Sequence, residues 1–574
     1  MSLDLHEPDR VATAAPPDER PRVTARQVGL RRLVGTGSVV VLVAWASVRA
    51  LAPESAIVNT GGISLLGKLL AAIGNPATSP DFLRLVLDAS LVTVMYAALG
   101  TAGALVIGVV GAVVLSDATW RHPPGRVVGG IRFILRAALV GARSIHELIW
   151  ALLLVSVLGL DPLVAVLAIA IPFGAQTAKV FSEILDGVDR RPLGHLRSSG
   201  ARSLPALAYG LLPPAAPLLL SYSFYRFECA IRSAVVLGVV GVGGLGQELV
   251  VSLRSRNWDE VWTLVAAVIV LSAIVDVWSS RVRGDLAVVS CSDWSAGSTG
   301  AGRRGNSSPW ARWSVIVAVP ALVVAWFASG VSWSGLVSQR TQDLTVGLVE
   351  EMIPPALPPG GWSELLGATL DTISMAVLAM VLAVAITLLV GPFATRVRPI
   401  ASDEAARGWV LLPRLVARAG ARAVLLVFRS IPPTVWAVLA LLVLFPGILP
   451  GAIALGLYTG GILGRLVAEA WESIDTRPRD ALRAAGVRPA SAAIAAVLPP
   501  SSHQLVTYTL YRFEICVRDT AVVGVVGAAG LGRLFAENLA VFRFPVVTTL
   551  LLASFAVSVA SEVLGRRVRR AISA

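Results

Sequence analysis

Two charged blocks stand inside otherwise apolar stretches, Tyr225-Arg226-Phe227-Glu228 and Tyr511-Arg512-Phe513-Glu514, and each is followed by a further arginine, Arg232 or Arg518. Glu228 and Arg232 are spaced i,i+4, as are Glu514 and Arg518, so each pair meets on one face of a helix. An unpaired charge at the middle of a membrane costs at least about 2.5–3.5 kcal/mol, so residues of this kind pair with one another or line a wet path. Two uses follow. The pairs hold helices in register, the commoner arrangement, or, with Arg226 and Arg512, they form an electropositive constriction that attracts an anion. Either use places the blocks near a path, as a gate. No nucleophile–base set or metal-ligand spacing accompanies them, so no catalytic residue and no metal site is expected. Cys229, Cys291 and Cys516 read as small apolar filler. His146, beside Glu147, reads as a span-end residue rather than a ligand.

The blocks belong to a larger repetition. Residues 225–246 and 511–532 lie 286 residues apart and share 13 of 22 positions without a gap. The same offset pairs Arg143-Ser144-Ile145 with Arg429-Ser430-Ile431, Trp150 with Trp436, Glu183 with Glu469, Asp189 with Asp475, and Leu212-Pro213 with Leu498-Pro499. Repetition on this scale means two copies of one unit.

Composition says what kind of unit. Hydrophobic residues make up 55% of the chain and charged ones 15%, with a mean hydropathy of +0.74. Soluble domains carry about 25% charge, so an all-α polytopic membrane protein is expected. The net charge of +13 is spread over loops rather than gathered on one patch, which speaks against nucleic acid as a partner. Apolar runs of about 20 residues fall near 33–51, 88–115, 146–160, 162–184, 205–224 and 261–280 in the first copy. In the second they fall near 313–331, 368–392, 433–449, 451–472, 502–512 onward and 545–565. About six spans per copy are therefore predicted.

Arginines before the first span and after the second, fourth and sixth place those loops and both termini on the cytoplasmic side. The two copies then run in parallel about an axis along the membrane normal. The predicted organisation is a cytoplasmic segment 1–32, a first transmembrane domain 33–283, a flexible Gly/Ser linker 284–311, and a second transmembrane domain 312–574. The Gly-rich runs, with Gly238, Gly241, Gly244 and Gly246 matched by Gly524, Gly527, Gly530 and Gly532, are too short for ordinary spans. Glycine in membranes more often permits close packing than cradles phosphate, so packing or hinge use is favoured.

After the fourth span of the second copy come Asp480-Ala481-Leu482, then Gly486, then the Leu498-Pro499 break. The first copy has Gly194-His195-Leu196, Gly200 and Leu212-Pro213 at the same spacing, without the acid. This pattern resembles the cytoplasmic coupling loop of ABC importer permeases. Gly and Pro would end a stiff helix at fixed places, so that a push moves the adjoining spans. Arg-Ser-Ile-x4-Trp, Glu-x5-Asp, Tyr-Arg-Phe-Glu-x3-Arg and Gly-x2-Gly-x2-Gly-Leu-Gly resemble the phosphonate-type permeases of the methionine-permease-like fold, over roughly 80–281 and 365–570.

The resemblance implies a tandem type I ABC importer transmembrane domain that carries phosphonate or a related oxyanion such as phosphate. The chain departs from the family's usual single-unit subunit by joining two. A Walker A motif needs Gly-Lys followed by Ser or Thr, whereas Lys68 and Lys179 are followed by Leu69 and Val180. ATP and magnesium would therefore be bound by a partner: two ABC ATPase subunits are expected, with one extracytoplasmic substrate-binding protein, in a bacterial cell membrane. The alternatives are a same-fold permease for methionine or another small organic solute, and a proton-driven secondary transporter using Glu183, Glu228, Glu469 and Glu514.

Overall fold

The computed structural model describes residues 25–51, 57–120, 125–295, 309–331, 333–396 and 411–573. Regular structure among these is helical, apart from one isolated bridge between Val58 and Leu444. Six described helices are long and apolar enough to cross a membrane, three from each half. In the first half they are α3 (Pro80–Leu115), α6 (Pro162–Gly187) and α11 (Trp258–Ser295); in the second, α15 (Gly361–Ala394), α18 (Ile448–Glu472) and α22 (Phe544–Ser573). Local sequence sets their starts. Asp161 accepts a hydrogen bond from the Leu163 backbone N–H at 2.7 Å and Pro162 occupies the first turn, so the Gly159–Pro162 turn opens α6 directly.

Three more crossings are bent pairs. Helix α4 (Arg126–Ser144) meets α5 (Glu147–Leu158) at 97°, and α16 (Leu411–Ser430) meets α17 (Pro433–Val443) at 90°. Helix α8 (Ser203–Gly210) meets α9 (Leu212–Leu237) at 65°, and counting each pair as one span gives nine. The third segment of each copy thus differs from the straight span read at 146–160 and 433–449. At 1.5 Å per residue, the 12 residues of α5 reach only about 18 Å, short of a 30 Å hydrocarbon core.

The Leu-Pro positions also part company. In the first half α9 begins at Leu212, but in the second Pro499 and Pro500 lie inside α20 (Pro489–Val525). The expected break at Leu498-Pro499 does not occur. There Ser501 and Ser502 hydroxyls donate to the Leu498 and Pro499 carbonyls at 3.1 and 2.8 Å, giving those acceptors local partners. The expected flexible linker is shorter than 284–311, because α11 continues to Ser295 and α12 (Pro309–Ala328) begins before Trp310. No Gly or Pro interrupts 285–295, whereas 296–308 lie outside the described residues.

The first helix of each half crosses to the other. Helix α1 (Ala25–Ala50) packs on α15, where Arg49 Nε reaches Asp371 Oδ1 at 2.7 Å, while Ala325 and Val331, on and just after α12, pack with Leu99, Leu163 and Val166 of the first half. The bent segments cross as well. Ile149 of α5 is buried among Leu365, Leu531 and Phe535, and its counterpart Val435 of α17 among Leu245, Leu249 and Leu264. Contacts that recur with the copies exchanged are the signature of a two-fold axis. The molecule is therefore two tandem parallel copies around a shared centre.

Candidate functional site

Helices α9 and α20 bring the two Tyr-Arg-Phe-Glu blocks to that centre. The expected i,i+4 pairs both form, at 3.5 Å for Arg232 Nη2–Glu228 Oε1 and 3.5 Å for Arg518 Nη2–Glu514 Oε1. Glu228 also accepts from Arg283 Nη1 at 3.0 Å, which ties α9 to α11, and Phe224 packs edge-on against Trp278 across the same contact. Arg518 Nη1 donates to the Arg143 carbonyl at 2.9 Å, joining the halves. Both glutamates are buried, at 7% and 8% exposure. The arrangement thus serves the structural use of these pairs.

The two arginines inside the blocks are different. The Arg226 guanidinium lies over the Phe173 ring at 3.8 Å, and its buried Nε has no hydrogen-bond acceptor among the described residues. Arg512 is 6% exposed, and its Nε and Nη2 are buried with no acceptor among the described residues. Leaving such donors unsatisfied costs about 1–3 kcal/mol, more for a charged group. Both face a cavity of 360 Å³ lined from both halves. Eight arginines and four carboxylates line it, so its field is positive. Tyr225, Arg226, Glu228, Arg232, Tyr511, Arg512 and Arg518 all reach the wall, while Glu514 stands outside the lining.

Residues the sequence reading had not singled out as a site frame this cavity. Arg143 Nη2 pairs with Glu562 Oε2 at 2.7 Å, and Lys179 Nζ with Glu562 Oε1 at 3.2 Å. Exchanging the copies gives the second triad: Arg429 Nη2 pairs with Asp276 Oδ2 at 2.7 Å, and Arg465 Nη1 contacts Asp276 Oδ1. Each triad spans the two halves. The available signal was charge of like sign at the 286-residue offset in apolar surroundings, as in Asp276 and Glu562 or Lys179 and Arg465. The nearby Trp of the Arg-Ser-Ile-x4-Trp motif braces the bend: Trp150 Nε1 donates to the Ala142 carbonyl at 3.1 Å and Trp436 Nε1 to the Phe428 carbonyl at 3.3 Å.

His146 caps α5, accepting from the Leu148 N–H at 3.1 Å through Nδ1, and it also lines the cavity. Cys229 lines the cavity too, whereas Cys516 is fully buried and the Cys291 side chain lies outside the described residues.

The candidate coupling segments are two eight-residue helices, α7 (Arg191–Ser198) and α19 (Arg477–Ala484). Asp189 Oδ1 accepts from the Arg191 N–H and Asp475 Oδ1 from the Arg477 N–H, each at 3.0 Å. The backbone hydrogen bond from Arg191 holds the Asp189 carboxyl below its usual range, with Arg191's side-chain bond and charge acting in the same direction. Both helices end in the same reversal. Gly200 and Gly486 have φ of +84° and +83°, and the N–H groups of Ala201 and Val487 return to the Leu196 and Leu482 carbonyls at 3.0 and 3.1 Å.

Gly194, His195 and Leu196 therefore occupy α7, and Asp480, Ala481 and Leu482 occupy α19, where Asp480 pairs with Arg479 at 2.8 Å. Arg197 Nη2 donates to the Ala118 carbonyl at 3.0 Å, which binds α7 to the end of α3.

The Gly-rich runs form tight returns into α10 (Leu245–Ser255) and α21 (Leu531–Ala540). A Cβ on Gly246 would collide with the Val235 carbonyl oxygen, and one on Gly532 with that of Ala521; Gly238 and Gly524 meet the same returns from the other side. Gly241 and Gly527 turn the chain, and Gly244 and Gly530, at φ +82° and +93°, deliver the Leu245 and Leu531 N–H groups to Thr93 and Thr372 Oγ1, each at 2.9 Å. The contacts at Gly238, Gly246, Gly524 and Gly532 are close packing of backbone on backbone.

A family model described as binding-protein-dependent transport system inner membrane component matches residues 129–284 and again 405–574. The phosphate-import permease protein PhnE of Mycolicibacterium smegmatis is 29% identical over 482 residues, 83% of this chain and 84% of that protein. A match of that length cannot fit within one half. The phosphite transport system permease protein PtxC of Stutzerimonas stutzeri is 32% identical over 220 residues, 37% of this chain and 76% of that protein. A putative cryptic phosphonate transport system permease protein of Escherichia coli is 38% identical over 117 residues, 20% of this chain and 96% of that protein. Among solved structures, a chain of the MetNI methionine ABC transporter in inward-facing conformations is 22% identical with a TM-score of 0.33, covering 38% of this chain and 99% of that one. With two matched regions that together take in more than half of its length, the chain belongs to the family of binding-protein-dependent transport system inner membrane components and carries that permease unit twice.

Proposed function

We propose that this chain forms the translocation path of an ATP-driven importer for phosphonate or a related oxyanion such as phosphate. The observation that carries the reading is the pair Arg226 and Arg512, which between them present three buried nitrogens without acceptors among the described residues, at a cavity with twice as many arginines as carboxylates. Such a site offers charge-assisted hydrogen bonds to an oxyanion and nothing comparable to a neutral solute. The names of the similar permeases point to the same substrate class.

In this reading Tyr225, Arg226, Glu228 and Arg232, with Tyr511, Arg512, Glu514 and Arg518, form the path and its gate. The Gly runs set the close packing of its walls. Helices α7 and α19 contact two separate ATPase subunits, which bind ATP and magnesium on the cytoplasmic side, where both termini also lie. A binding protein delivers the anion from outside a bacterial inner membrane. ATP closes the ATPase dimer, both coupling helices are pressed, and the path turns outward; hydrolysis returns it inward.

The test is uptake of radiolabelled phosphate and methylphosphonate by cells expressing the chain with its ATPase and binding protein, repeated with an ATPase-dead partner. Uptake of either anion that stops with the dead ATPase supports the reading. Uptake that survives the dead ATPase and collapses with the proton gradient overturns it in favour of a secondary transporter.

A further inference from the structure

The cavity is not symmetric in its acids. Asp519 and Glu147 both line it, but their counterparts in the other copy are Ser233 and Pro433. Glu147 is already engaged, since Ser233 Oγ donates to its Oε1 at 2.6 Å and His146 Nε2 lies 3.4 Å from its Oε2. Asp519 is not. Among the described residues its one ion-pair contact is His146 Nε2 at 3.6 Å, beyond hydrogen-bond reach. The trio does not close into a metal-ligating group. Asp519 is 8% exposed, so what little surface it keeps faces the cavity.

Asp519 has company that an oxyanion would use. Tyr458, Arg232 and Arg512 line the same cavity as Asp519. Arg512 brings two unsatisfied donor nitrogens to the same wall. The cavity therefore gathers guanidinium donors, a hydroxyl and, among the described residues, a single open carboxylate. The other copy has Pro172 in place of Tyr458 and Ser233 in place of Asp519, and cannot repeat it.

A carboxylate beside an anion site is repulsive unless the anion itself donates a hydrogen bond. We infer that Asp519 makes the cavity selective for oxyanions that still carry a proton: the P–OH of hydrogen phosphate or of a phosphonate monoanion donates to Asp519 while Arg512 and Arg232 bind the ionised oxygens. A fully ionised tetrahedral anion such as sulfate has no proton to give, and it sets oxygen against oxygen. Sites built to bond one polar hydrogen reject analogues that lack it far more strongly than apolar pockets reject a methylene. This rests on the anion-path reading above and adds the property of the anion that is recognised.

The test is equilibrium binding of radiolabelled phosphate to the purified full-length chain in lipid nanodiscs, with methylphosphonate, sulfate and 2-aminoethylphosphonate as competitors at constant ionic strength. For the natural chain, sulfate is expected to need at least ~100-fold more than methylphosphonate to displace phosphate. In Asp519→Asn, whose amide can donate, that ratio falls below about 10. Asp519→Ser, which installs the residue found in the other copy, checks the same ratio if the amide variant folds poorly. An equal ratio for natural and variant chains overturns the inference, as does sulfate competing as well as methylphosphonate in the natural chain. A preference for 2-aminoethylphosphonate that disappears in Asp519→Asn also overturns it, by showing that the carboxylate reads an ammonium group. Phosphate binding unchanged by Arg512→Gln is a separate result, which removes the anion path itself.

Discussion

Arg226 and Arg512 occupy matching turns of matching helices, yet the Arg226 guanidinium lies over a phenyl ring with one buried nitrogen lacking an acceptor among the described residues, while Arg512 has two such nitrogens. The difference traces to one neighbouring position. Phe173 faces Arg226, and the second copy has the buried Thr459 there. Around the cavity the same divergence recurs at Pro172 and Tyr458, at Ser233 and Asp519, and at His146-Glu147 and Pro432-Pro433. The triads that hold the halves together have instead kept their charges. The frame of the duplication has been retained and its lining has been free to specialise.

That contrast can be broken first at the frame. Asp276→Asn leaves the buried Arg429 without a carboxylate and Arg465 with Glu469 alone, and removing one partner of a buried pair costs about 3–5 kcal/mol. Glu562→Gln strands Arg143 and a Lys179 whose side chain is 37% exposed, so its loss is expected to be smaller. Thermal unfolding of both variants in the same detergent checks the order; equal losses would mean that the triads are interchangeable.

The lining comes next. Arg512→Gln is expected to reduce uptake about 100-fold and Arg226→Gln about 10-fold, consistent with losing a charged hydrogen-bonding group worth ~1.5–3 kcal/mol. If the two variants lose uptake equally, the lining is symmetric in function whatever its geometry. Phe173→Thr gives the first half the second half's neighbour and removes a desolvated cation–π contact worth about 2 kcal/mol. It should release Arg226 and change the apparent KM about threefold while leaving Arg512→Gln as damaging as before. The smallest effect is expected at the candidate coupling helices. Asp480→Gly copies Gly194 and should lower transport-coupled ATP hydrolysis by about twofold, the size of a surface ion pair.

What could be foreseen follows from how far each signal travels along the chain. The Glu–Arg pairs are four residues apart and were legible from spacing. The repeat showed the tandem arrangement, and the Gly-terminated ends of α7 and α19 follow from glycine's access to positive φ. The triads join residues 419 and 153 positions apart, a proximity that only the packed halves create. The bends at Ser144 and Ser430 were hidden because α5 and α17 are as apolar as a true span, and hydropathy does not record direction. The proline rule failed at Pro499, since α20 runs through Pro499 and Pro500 although neither can donate to the carbonyl one turn back.

The crossing of α1 onto the second half and of α12 onto the first has a consequence for stoichiometry. Were the halves free subunits, they could assemble in three combinations, and only one of these sets Asp519 opposite His146-Glu147. Two copies of the second half would carry two such aspartates with prolines facing them, and two copies of the first would carry none. Joining the halves in one chain, with their leading helices exchanged, makes the mixed pairing obligatory in every molecule. A lopsided cavity is then inherited through a two-fold body.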